Sequence, residues 1–157
     1  MDFFEFPVLF VLENPGQAVT GMFHKRRIGK ERCNTMKIDS DLLKLLMEMG
    51  FLAVNSGRLD GAAAIFKGVA RARPNSAYPR IGLGCVAMGR GDFAGAAEIL
   101  SGAPATERAE RDLCQGFLGM ALKLDGRHDE CREVLGKLQA EGENEVAVRM
   151  AGRLMDQ

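Results

Sequence analysis

Few residues in this chain have the types and spacing that chemistry requires. Gly82-Leu83-Gly84-Cys85-Val86-Ala87 spells G-x-G-x-x-A, the turn that seats a dinucleotide pyrophosphate on a helix N-terminus. That chemistry needs a strand running into the first glycine and a helix opening at it. Pro74, Pro79 and polar residues precede the run, so no strand is expected there. Gly29-Lys30 is followed by Glu31 rather than Ser or Thr, and no glycine lies five residues earlier, so it does not make a phosphate-binding loop. His24 and His128 are the only histidines, and no cysteine stands at metal-ligand spacing to either. No serine sits in a G-x-S-x-G elbow. With no nucleophile, base and orienting group in prospect, the sequence leads us to expect no enzyme, no cofactor and no metal.

Composition narrows the remaining classes. The 157 residues suggest one domain, and 21 basic against 21 acidic side chains give no global pull toward nucleic acid. Cys33, Cys85, Cys114 and Cys131 contain no C-x-x-C pair, and they read as reduced thiols of a cytoplasmic protein. Methionine is frequent, at 9 residues, while Trp is absent and Tyr78 is the sole tyrosine. Methionine suits adaptable contact surfaces as well as cores.

Two regions differ in kind. Residues 1–35 carry an apolar patch from Phe3 to Leu12, a breaker at Asn14-Pro15-Gly16 and a basic run from His24 to Arg32. The patch is too short to span a membrane, and Asp2 and Glu5 replace the basic start of a signal peptide. We expect this extension to be poorly ordered, to act as a partner-binding arm, or to precede a native start at Met36. From there to residue 157 the chain reads as helices, with Asp39-Ser40 offering the first cap. Ser40–Ser56 has Leu42, Leu45, Leu46, Met49 and Ala53 at helical spacing. Leu59–Ala72 packs back on it, and Arg73-Pro74-Asn75-Ser76 is a turn. Pro79 fits the first turn of a helix to about Met88, and Phe93–Leu100 is that helix's partner. Thr106 is expected to cap a long helix to Leu124, followed by His128–Ala140. Glu145–Met155 closes the chain, with Val146, Val148, Met150 and Leu154 on one face.

One pattern recurs through this helical region. Leu46-x-x-Met49-Gly50-x-x-Ala53 is followed by Gly57-x-x-x-x-Ala62-x-x-x-Phe66, closing at Pro74. It returns around Gly84, Gly91, Ala96 and Leu100, and again around Gly119, Gly126, Cys131 and Leu135. The turn glycines Gly57, Gly91 and Gly126 stand 34 and then 35 residues apart. This pattern resembles the tetratricopeptide-repeat (TPR) family, over roughly Ser40 to Met155. The resemblance implies an all-α fold of three helix–turn–helix repeats, about 40–74, 75–104 and 105–142. They would stack as a short right-handed solenoid with a capping helix at about 145–155. The family's aromatic positions are Leu46, Arg80 and Gln115 here, and only Phe66 keeps the late aromatic.

The resemblance also implies a concave groove lined by the first helix of each hairpin. Its positions map to Lys44, Met47, Phe51, Val54 and Asn55 in the first copy, and to Tyr78, Ile81, Cys85 and Met88 in the second. In the third they map to Leu113, Gly116, Met120, Lys123 and Leu124. Met47 and Phe51 replace two places of the family's carboxylate clamp, so acidic chaperone tails are not the expected ligand. An apolar or amphipathic segment of a protein partner is, unless the N-terminal extension or a homo- or heterodimer mate fills the groove. No nucleic acid and no membrane insertion are expected. A small Met-rich unit of this kind is also similar to the chaperones of bacterial type III secretion, which hold needle or translocator subunits. Ser76–Leu100 and Glu143–Leu154 carry that finer resemblance. A constitutive scaffold or assembly factor is the competing reading. Since every repeat signal lies after Ser40, removing residues 1–35 is expected to leave helicity and melting temperature essentially unchanged. Circular dichroism of the two chain lengths measures this.

Overall fold

The structure, a computed structural model, describes residues 40–104 and 107–156. The expectations for residues 1–35, for Asp39 and for the cap at Thr106 fall outside that range. The described residues form seven α-helices and no strand: α1 (Ser40–Asn55), α2 (Leu59–Ala72), α3 (Tyr78–Gly89), α4 (Phe93–Ser101), α5 (Arg108–Leu124), α6 (His128–Glu141) and α7 (Glu145–Met155). Helix boundaries agree with the sequence pattern to within a residue or two. The G-x-G-x-x-A run lies wholly inside α3, where no strand–helix junction exists to seat a phosphate.

Three hairpins, α1–α2, α3–α4 and α5–α6, turn at Gly57, Gly91 and Gly126, whose φ angles are 69°, 78° and 79°. Glycine occupies this left-handed region without a Cβ penalty. The same two hydrogen bonds close each turn. The Arg58 N–H donates to the Ala53 carbonyl at 2.8 Å and the Gly57 N–H to that of Val54 at 3.0 Å. Asp92 and Gly91 repeat this on Ala87 and Met88, and Arg127 and Gly126 on Leu122 and Lys123. This is the Schellman ending, which satisfies carbonyls that a helix C-terminus otherwise leaves unpaired.

Consecutive helices pack on each other, and the first helices α1, α3 and α5 also touch in a row. α7 lies against both α5 and α6, so it continues the row of first helices and closes that end. Asn144 caps it, its Oδ1 accepting from the Val146 and Ala147 N–H groups at 3.0 and 3.1 Å. Val146, Met150 and Leu154 are buried as expected, joined by Ala147 and Ala151, while Val148 is half-buried. Within each hairpin a glycine admits a large side chain from the second helix. A Cβ on Gly50 would lie 2.6 Å from the Phe66 ring, and one on Gly84 would lie 2.8 Å from Leu100 Cγ. At Gly119 the obstacle is Leu135. Ala62 and Ala96 are fully buried opposite, and Cys131 takes that slot in the third hairpin, its Sγ donating to the Gly119 carbonyl at 3.2 Å.

Only part of the expected apolar stripe of α1 faces the core, with Leu46 and Ala53 half-buried against it. Leu43, Met47, Gly50, Phe51 and Val54 point into the core, whereas Leu42, Leu45 and Met49 point outward. α1 is apolar on both sides, so spacing alone could not choose between them.

These contacts separate two kinds of glycine. Gly84→Ala and Ala96→Leu each overfill a tight contact and are expected to lose about 1–3 kcal/mol. Gly68→Ala meets nothing within 4 Å on the exposed side of α2 and is expected to gain about 0.5–1 kcal/mol. Urea unfolding of the three variants measures both signs.

Candidate functional site

Of the fourteen positions assigned to the inner surface on α1, α3 and α5, Lys44 and Leu124 are half-buried, Asn55 is exposed and Gly116 is buried, and the structure brings the other ten into one hydrophobic cluster with a single exception. Met47, Phe51, Val54, Tyr78, Ile81, Cys85, Met88, Leu113 and Met120 are all buried, none more than 8% exposed. The Phe51 ring packs on Phe66 with centroids 5.1 Å apart and planes tilted by 60°. These residues therefore act as core in this structure, and little of their surface meets solvent. Lys123, the exception, is half-buried, and its Nζ donates to the Leu154 carbonyl at 2.6 Å. A cation at that point satisfies an unpaired carbonyl at the end of α7 and complements its dipole.

α3 is the most enclosed of the three first helices. Tyr78, Pro79, Ile81, Gly82, Gly84, Cys85, Val86, Ala87 and Met88 are all buried, so this helix is covered nearly all round. Burial pushes the Cys85 thiol up to about 12, and burial together with the Glu110 carboxylate does the same for Cys114. Cys131 is also raised by burial. A thiol so far from its thiolate is a packing residue rather than a nucleophile. His128 is exposed at the start of α6.

Two buried carboxylates on α5 were not apparent in the sequence. Glu110 Oε2 accepts from the Ala77 backbone N–H at 2.8 Å, at the start of α3. Asp112 Oδ2 accepts from the Glu143 and Asn144 N–H groups at 2.7 and 2.9 Å, at the start of α7. One turn of α5 thus reaches sideways to both neighbours in its row and places negative charge at two helix N-termini, where it is favourable. Burial raises the Glu110 pKa, and the nearby Glu107 charge adds to this, while the Ala77 hydrogen bond opposes it. Burial and the Glu110 charge likewise push the Tyr78 hydroxyl far above its ordinary value.

Exposed apolar surface is concentrated elsewhere. Leu42, Leu45, Met49 and Leu52 are 48%, 53%, 49% and 49% exposed, and they follow one another along the outer side of α1. Among the described residues Met155 is the only other large hydrophobic side chain left so open. The 3-4-3 spacing of the four makes a single stripe, the geometry of a helix-pairing seam. No helix of the described residues is long and apolar enough to cross a membrane.

Comparison with known proteins agrees with this architecture. Residues 53–120 match a family model described as tetratricopeptide repeat, and residues 113–137 match a second model of the same description. No curated protein and no solved structure matches the chain significantly. Repeats of this family are non-catalytic surfaces for other proteins.

Glu110 gives the site a pH signature. Its folded pKa lies above its unfolded one, so the folded state binds more protons between the two values. Stability therefore falls as pH rises through the folded pKa. Glu110→Gln keeps an acceptor for Ala77 without the charge, so it is expected to flatten that fall and be at least as stable above neutral pH. Glu110→Ala strands a buried N–H and is expected to lose about 1–3 kcal/mol at every pH. Urea unfolding at pH 5 and pH 8 distinguishes the two variants.

Proposed function

We propose that this tetratricopeptide-repeat protein is an interaction module that holds an apolar or amphipathic segment of a protein partner. The observation that carries the reading is the stripe Leu42, Leu45, Met49 and Leu52, left about half in water on one helix. A monomer seldom leaves large apolar side chains aligned and uncovered. In this reading the inner-face residues stiffen the row of first helices from within, and the partner's first contact is with α1.

Magnitude sets what the stripe can do. Burying a large apolar side chain fully is worth about 1.5–3 kcal/mol, so four half-exposed ones supply about 3–6 kcal/mol. A micromolar complex requires about 8 kcal/mol net, after ordering costs. The stripe is an anchor, and a tight partner must add contacts beyond it.

The finer reading is a cytoplasmic chaperone for an aggregation-prone subunit of a type III secretion system. The sequence resemblance in Ser76–Leu100 and Glu143–Leu154 supports it, and an exposed anchor on a small module fits that task. A constitutive scaffold is the alternative, and partner behaviour separates them.

The test is affinity capture from native extract with wild type and with Leu45→Asp/Leu52→Asp. Both positions are exposed, so the double variant is expected to melt as wild type does while losing its specific partner at least tenfold. Undiminished capture by a folded double variant would overturn the assignment to α1. A partner that precipitates when expressed alone and stays soluble when co-expressed identifies a chaperone. One that is soluble by itself identifies a scaffold.

A further inference from the structure

The repeat itself describes what should cover the stripe. Shifted by one period, Leu45, Met49 and Leu52 of α1 become Pro79, Leu83 and Val86 of α3, and then Cys114, Leu118 and Ala121 of α5. Within α3 and α5 these positions are buried, except Leu83 and Leu118, which are half-buried. The preceding second helices, α2 on α3 and α4 on α5, pack against these first helices. α1 is the first helix with no such neighbour among the described residues. Resting on the interaction reading above, we propose that the partner docks a helix there, as α2 docks on α3, and brings a basic side chain to Glu48.

The basic side chain follows from the same correspondence. The α3 position equivalent to Glu48 is Gly82, and a Cβ on Gly82 would run into the Phe66 ring of α2. The α5 equivalent is Phe117, which is 2% exposed. A helix docked on α1 in the manner of α2 therefore covers position 48. There it meets an exposed glutamate that has no ion pair among the described residues. A covered carboxylate without a cation or donor is strongly unfavourable. A lysine or arginine where α2 has Phe66, between apolar side chains, matches the surface.

Other occupants fit less well. A second copy paired about a two-fold axis is suggested by the symmetry of the stripe around residue 47. That axis sets the two Glu48 carboxylates against each other. The chain's own residues one period upstream of α2 include Arg32 at the place of Phe66. They also put Lys25, Gly29 and Thr35 where Leu59, Ala63 and Val69 make apolar contact. At those three positions they offer no apolar contact, although Ile28 and Met36 stand at the places of Ala62 and Ala70.

The test uses two synthetic peptides with the α2 sequence and capped ends, one carrying Phe66→Lys and the other Phe66→Glu, titrated into the full chain by fluorescence anisotropy. The Phe66→Lys peptide is expected to bind at least tenfold more tightly. Glu48→Lys in the protein is expected to invert that preference, and Leu45→Asp to abolish binding of both. Equal binding of the two peptides, binding of neither, or a preference that survives Glu48→Lys overturns the proposal. A concentration-dependent dimer lost in Leu45→Asp overturns it in favour of a second copy. A tenfold gain in peptide affinity on Arg32→Glu overturns it in favour of the chain's own upstream residues. If the natural partner is lost in Leu45→Asp while the peptides show no charge preference, the interaction reading stands and this inference falls.

Discussion

The fold depends on one constraint, the close approach of two helices at a glycine. Gly50, Gly84 and Gly119 each receive a large side chain sixteen residues later in the sequence, Phe66, Leu100 and Leu135. Phe66 does more than close its own hairpin, because its ring also lies against Gly82 of α3. One aromatic side chain thus joins a repeat to the next. An added methyl at either glycine must move a fully buried ring, which a close-packed core resists. Because each unit packs chiefly on its neighbours, stability is a sum of hairpin and interface contributions along the row. The two ends of the row that the described residues form are then the places where surface is left over.

The ends are not alike. At the C-terminal end α7 is capped by Asn144, held at its start by Asp112 and at its last turn by Lys123, and buries five of its own residues. At the other end α1 turns Leu42, Leu45, Met49 and Leu52 outward. α5 supports both directions, since its Glu110 and Asp112 reach the N-termini of α3 and α7. The inner row is therefore tied by hydrogen bonds as well as by apolar contact, and a partner would meet a preorganised row of helices rather than three loose hairpins.

Much of this was legible in the sequence. The turn glycines state where each hairpin reverses, because positive φ is costly for any other residue. The Gly50, Gly84 and Gly119 series states where helices approach. What the sequence left open was orientation. α1 and α3 are apolar on more than one side, so periodicity does not say which side is core. The family correspondence placed Met47, Phe51, Tyr78 and Met88 on an inner surface open to a partner, and the structure makes all four part of the buried core. Glu110 and Asp112 look like ordinary solvated charges in a helical stretch. Their partners lie some thirty residues away and are backbone N–H groups, which carry no residue-type signal. Lys123 was expected among the groove positions, and its bond to the Leu154 carbonyl depends on where α7 ends, which sequence reading fixes least well.

The asymmetry of the ends also bears on why a binding surface would sit on α1 rather than in the groove. Side chains that are already buried in the core can be used only by breaking contacts that hold the repeats together. Each large side chain so exposed costs about 1.5–3 kcal/mol before any partner contributes. The outer stripe of α1 requires no such opening, because its apolar surface is exposed already and its backbone is fixed by the core on the opposite side. A helix added there would extend the stack by the rule that the chain applies twice within itself, second helix upon first helix. Position 48 is where the rule changes. Gly82 accepts a ring, whereas Glu48 presents a charge, so the outermost contact selects its occupant by electrostatics where the internal ones select by shape.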